Sequence, residues 1–272
     1  MQAPMFAASA RRLAFGLALT PGAVWVAALL LPSVHVGATL ANSISFAGAA
    51  LIPILALAIS ATTEVTRATT LSVAATAALA LLALALLHPS SIVAMALVDG
   101  ALVAAAWAIG ASIGRRVQHA SHLLPACVVA ASADIVSSLS PEGPTHAIAS
   151  SDRALSILAV WFPVPGTHAV APALGVGDLL FMALVFGVAA VHRLPYARTV
   201  FLAALGTSIA GFAAAWLAVP VPALVPIAAA LVLGLPMLRA VRPADRRATN
   251  WSIIIASSVV AAVVARNFFF SR

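Results

Sequence analysis

The dominant pattern along the chain is a succession of apolar runs of about 20 residues. Short polar segments rich in Arg, Pro and Ser part them. As a helix, a run of that length crosses the ~30 Å hydrocarbon core of a bilayer. The pattern predicts about nine spans, near 13–31, 37–60, 69–87, 91–113, 121–139, 168–190, 199–218, 221–238 and 251–269. The expected fold class is all-α: a polytopic transmembrane helical bundle. The stretch 140–167 interrupts the rhythm with "SPEGPTHAIASSDR" and then "ALSILAVWFPVPG". Its apolar part is too short to span, which predicts an interfacial or re-entrant piece.

Composition sharpens this picture. Of 272 residues, 63% are hydrophobic and 8% charged, with a mean hydropathy of +1.12. Soluble chains carry about 25% charged residues, so a soluble globular domain is excluded. The net charge of +7 comes with no lysine at all, and the arginines fall almost entirely between the apolar runs. Basic residues there anchor topology, and no nucleic-acid partner follows from them. With a cytoplasmic N-terminus, the inner segments hold Arg11, Arg12, Arg67, Arg115, Arg116, Arg193, Arg198, Arg239, Arg242, Arg246 and Arg247. The outer segments hold only Arg153, Arg266 and Arg272. That bias predicts an integral multi-pass protein with its N-terminus inside. The run after Arg11 and Arg12 is long and lacks a clear small-x-small cleavage site, so it is expected to be retained as the first helix. The lone Cys127 offers neither a disulfide nor a zinc site.

Acidic residues carry the chemistry. Glu64, Glu142, Asp152 and Asp245 fall in connecting segments, whereas Asp99, Asp134 and Asp178 lie within predicted spans. Placing an acid there costs ~3 kcal/mol on insertion scales, so each is a functional candidate. No basic residue sits at comparable depth beside Asp134 or Asp178. Two facing carboxylates share a proton because like charges a few ångströms apart do not both ionise cheaply. Such a pair can activate water with one acid and protonate a carbonyl with the other. The competing reading is structural, with each acid protonated and bonded to a neighbouring helix. Asp99, in "AMALVDGALV", is expected to be a packed structural acid. Histidines fall near predicted helix ends and form no metal-binding pair within a span. Gly110-Ala-Ser-Ile-Gly114 matches the small-residue spacing of close helix packing.

Three segments then bear on family. "ADIVSSLSPEGPTHAI" resembles the sixth-helix signature of presenilins, with Asp134 at the acid and Pro141, Gly143 and Pro144 in the Pro-x-Gly-Pro places. "GVGDLLF" is similar to the family's Gly-x-Gly-Asp signature through Gly175, Gly177 and Asp178. Pro222-Ala223-Leu224 matches its Pro-Ala-Leu signature. All three occur in the family's order over about 121–238. The resemblance implies a prokaryotic presenilin-like intramembrane aspartyl protease in a cell membrane, with Asp134 and Asp178 catalytic. Gly175, Gly177, Pro222, Ala223 and Leu224 would contact substrate, a transmembrane protein or peptide, with no metal and no cofactor. On that basis the chain divides into N-terminal helices (1–120, about four), a catalytic core (121–238) and an extra helix (239–272).

The backbone chemistry of these motifs is compatible with proteolysis. Gly175 and Gly177 allow close approach beside Asp178. Backbone kept from helix by Pro220 and Pro222 leaves carbonyls for an extended strand. Ala133 stands where the family has Tyr. A prepilin-peptidase reading is weaker, because Leu179 and Leu180 follow the motif and lysine is absent. The non-proteolytic readings are a proton-coupled transporter or channel using the same acids, and an inactive homologue. Oligomeric state leaves no signal in the sequence.

Overall fold

The computed structural model describes residues 3–87, 91–140, 143–217 and 221–270, excluding the side chains of 3–8, 215–217 and 267–270. Along the chain come α1 (Ala3–Leu30), α2 (Ala38–Ala61), α3 (Arg67–Leu87) and α4 (Ile92–Ala106). A π-turn at Trp107–Ala111 leads from α4 into α5 (Ser112–Gly114). Next are α6 (Leu123–Leu139), α7 (Pro144–Ala149), α8 (Asp152–Leu158), β1 (Ala159–Pro163) and β2 (Val170–Gly175). The chain continues through α9 (Val176–Val191), α10 (Tyr196–Leu217), α11 (Leu224–Gly234), α12 (Pro236–Arg239) and α13 (Arg246–Phe270).

Among the described residues, seven stretches are long and apolar enough to cross a membrane. They are Ser9–Ser33, Ala38–Ala61, Arg67–Leu87, Ile92–Gly114, Ala120–Leu139, Tyr196–Ala214 and Arg246–Arg266. The chain is a multi-pass, predominantly helical membrane protein. Two expected spans are corrected. The run 168–190 begins as β2 and turns helical only at Val176, leaving 16 residues. At 1.5 Å per residue that helix is roughly 24 Å long, short of the ~30 Å core. Pro172 removes a helix donor, and Gly166 at φ +74 forms part of the loop that turns β1 back onto β2. The run 221–238 breaks in two, with 11 residues in α11 and 4 in α12. Leu235, held before Pro236, takes φ −120 and ψ 87 and cannot continue the helix. Within the expected interfacial stretch lie α7, α8 and β1.

The fold separates into two compact units. The first comprises Met1–Arg116 and Arg153–Val191, the second Val117–Asp152 and His192–Arg272. In the first, Ile54, Leu57, Leu102, Trp107, Met182 and Phe186 are fully buried. Glycines set the approach of α9 in this unit. A Cβ at Gly110 would sit 2.6 Å from the Leu180 carbonyl oxygen, and one at Gly114 would sit 2.5 Å from that of Leu184. In the second unit, α10 packs on α11 with Gly206 against the backbone of Ile227, around buried Ile227, Leu231 and Leu235.

Candidate active site

Asp178 occupies the first turn of α9, immediately after β2. The Gly175 N–H donates to its Oδ2 at 3.2 Å. Gly175 is the residue before the helix, so this is the reciprocal half of a capping box, an acid at the third helical position reaching back. Asp178 is half-buried, while Gly175 and Gly177 are exposed. A Cβ at Gly177 would meet nothing within 4 Å among the described residues. Open space beside the acid surrounds this glycine, in contrast to the tight seam at Gly110.

The hairpin before Asp178 is anchored from its far edge. β1 and β2 pair antiparallel, with Val160 opposite Leu174 and Trp161 opposite Pro172, so Ala173 is the extra residue of a bulge. The Trp161 N–H turns away and donates to Asp99 Oδ1 at 3.0 Å. Ser45 in α2 donates its hydroxyl to the Phe162 carbonyl at 3.1 Å. The Phe162 ring fills the space a Cβ at Gly48 would need. Asp99 is fully buried and its Oδ2 has no hydrogen-bond partner among the described residues. Sequence reasoning expected a packed acid at 99 and missed its strand-anchoring role. A lone acid in an apolar span signals a polar partner, but sequence does not tell which backbone N–H takes that part. β1 thus has both edges occupied, one by β2 and the other by Asp99 of α4. The outer edge of β2 has no strand partner among the described residues.

Asp134 belongs to the second unit, on α6, and is half-buried. The Leu224 N–H donates to its Oδ2 at 2.8 Å across 90 positions of sequence. Helix starts leave backbone donors orphaned, and Ser, Thr, Asp or Asn ordinarily caps them. The residue preceding α11 is Ala223, which makes no side-chain cap. Asp134 supplies that cap from another helix, at the end of α11 where a carboxylate is favoured by ~0.3–1 kcal/mol. Two of the three signatures chosen from sequence therefore touch. Pro222 and Ala223 lie in the non-helical entry to α11. Pro141, Glu142 and Pro220 are outside the described residues, while Gly143 and Pro144 start α7.

A second polar cluster lies at the start of α6. His122 pairs with Asp245 at 3.3 Å, and His119 contacts Arg242. Partial burial and then the Arg242 charge push the His119 imidazole below its ordinary value. Among the described residues no group of three or more His, Cys, Asp or Glu is arranged to hold a metal ion. Comparison of the chain with family models, curated proteins and solved structures gives no match.

Proposed function

We propose that the protein is an intramembrane aspartyl protease that hydrolyses peptide bonds in or near transmembrane segments with Asp134, Asp178 and water. The observation that carries this reading is the hydrogen bond from the Leu224 N–H to Asp134, which ties an intramembrane acid to the Pro-Ala-Leu segment. In the proposed reaction one carboxylate takes a proton from water as the water attacks the scissile carbonyl carbon. The other protonates the carbonyl oxygen, and collapse of the tetrahedral intermediate returns a proton to the leaving amine. A peptide bond must leave its helix before it can be attacked. The outer edge of β2 offers backbone donors and acceptors to such an extended segment, directly upstream of Asp178. The open space at Gly177 leaves room for it.

The test is cleavage of a reconstituted transmembrane substrate by the full chain. Asp134→Asn and Asp178→Asn should each reduce turnover at least ~100-fold, the scale of a lost acid or base, while thermal unfolding stays normal. Normal cutting by either variant refutes the dyad. A second measurement bears on geometry. In a Cys127→Ala background, Asp134→Cys with Asp178→Cys should cross-link readily with a short thiol reagent. A proton-coupled transporter is the competing reading. Proton uptake into vesicles without peptide cleavage, abolished by the same substitutions, would establish it instead.

A further inference from the structure

The second unit holds a trough of about 810 Å³ between α6 and α13. On α6 it is lined by Val129, Ser132, Val136 and Ser140, spaced i, i+3, i+7 and i+11 along one face. Ser252, Ile255 and Val259 line it from α13, with Arg266 two turns further on. The two helices run parallel. The His122–Asp245 pair joins their starts, and Arg266 lines the trough together with Ser140 and Gly143, residues near the far ends of the two helices. Asp134 is not among the lining residues, and its carboxylate reaches α11 instead. The trough therefore runs alongside the candidate active site, touching Ala133, Gly143 and Pro144 but not the Asp134 carboxylate.

Its dimensions select an occupant. Val129 to Ser140 spans 11 residues of helix, roughly 16 Å at 1.5 Å each. Half of a ~30 Å hydrocarbon core is ~15 Å, the depth of one lipid leaflet. The volume falls within the roughly 300–1,000 Å³ of small-molecule sites. Walls of Val129, Ile255 and Val259 are about half-exposed and apolar, suited to an acyl chain. At the end of the trough stands Arg266, an exposed cation with no ion pair or hydrogen bond among the described residues. A basic side chain at that level attracts phosphate headgroups. The hydroxyls of Ser132 and Ser140 are likewise without partners among the described residues, and Ser140 lies within the headgroup end.

We infer that the α6–α13 trough binds an anionic phospholipid, its phosphate on Arg266 and one acyl chain laid between the helices. A bound lipid would fill the space beside Ala133 and hold α13 against α6. This inference does not depend on proteolysis.

The experiment is native mass spectrometry of the full chain in micelles, titrated with phosphatidylglycerol or phosphatidylcholine of identical chains. Phosphatidylglycerol should be retained about fivefold better, the ratio that ~1 kcal/mol per basic residue provides. Arg266→Gln should abolish that preference, and Val259→Trp should block both lipids. Thermal unfolding of each variant checks that it remains folded. Equal retention of the two lipids by the native chain overturns the inference, as does an unchanged preference in Arg266→Gln. If a transmembrane peptide occupies the trough and neither lipid is retained, the site belongs to a protein partner and the inference fails.

Discussion

Replacing Asp99 with Leu tests whether a buried acid holds the hairpin that delivers Asp178. Leu has the same branched shape but bulkier ends, so no cavity arises and the fully buried site is overpacked at a cost of ~1–3 kcal/mol. Two polar effects oppose each other. Loss of Oδ1 strands the Trp161 N–H, now donating at 3.0 Å, and an orphaned buried donor costs ~1–3 kcal/mol. The same change removes Oδ2, a buried acceptor without a partner among the described residues, and relieves a cost of similar size. The polar effects should therefore nearly cancel in global stability, leaving the overpacking loss of ~1–3 kcal/mol. The local effect is not offset, because nothing replaces the acceptor at Trp161. Opening of β1 becomes easier by ~1–3 kcal/mol, which raises exchange of the Trp161 amide about 5- to 150-fold. Asp99→Asn keeps an oxygen at the same place and should leave that amide protected. Amide hydrogen exchange in micelles reads both variants. Unchanged protection in Asp99→Leu, or equal loss in Asp99→Asn, would show that β1 is held by other contacts. If the protease reading is right, Asp99→Leu also lowers kcat/KM, because the hairpin carries both the acid and the β2 edge proposed to receive substrate.

Further tests follow from the packing and charge. Gly110→Val places a side chain where the Leu180 carbonyl already stands 2.6 Å from a Cβ, and overpacking of that kind costs ~1–3 kcal/mol; thermal unfolding in detergent should show it. Gly177→Ala enters open space and should shift stability by no more than ~0.5 kcal/mol. Ser45→Ala should lose ~0.5–1.5 kcal/mol through its bond to the Phe162 carbonyl, read by the same method. His119 holds its proton less tightly folded than unfolded, owing to partial burial and then Arg242, with His122, Asp245 and His192 also acting on it. Its contribution is therefore full above the ordinary imidazole range and falls as pH drops through that range. Arg242→Gln should flatten the acid side of a plot of unfolding temperature against pH.

The membrane-spanning helices were legible because hydropathy over 20 residues is a strong, local signal. The hairpin was not. "AVWFPVPGTHAVAPALG" is apolar enough to merge with the helix that follows, and a short apolar run does not declare its period. Pro163, Pro165 and Pro172, with strand-forming Val160, Trp161 and Phe162, were the available cues. Pro172-Ala173-Leu174, which reads as a chance repeat of the Pro-Ala-Leu signature, forms part of β2. The break at Leu235 was readable from Gly234 and Pro236 flanking it. The contact from Leu224 to Asp134 joins positions 90 apart, and no periodicity encodes such a pairing. Only the absence of a capping residue before Leu224 hinted that a donor there needed help from elsewhere.

That borrowed cap has a kinetic consequence. An acid that also secures the first backbone amide of a helix cannot change its hydrogen-bonding state in isolation. In the proposed reaction Asp134 gains or loses a proton, the acceptor strength felt by Leu224 changes with it, and the entry of α11 loosens or tightens in step. Protonation of the carboxylate and the fastening of the α11 entry would then be one event, synchronised by a single 2.8 Å contact.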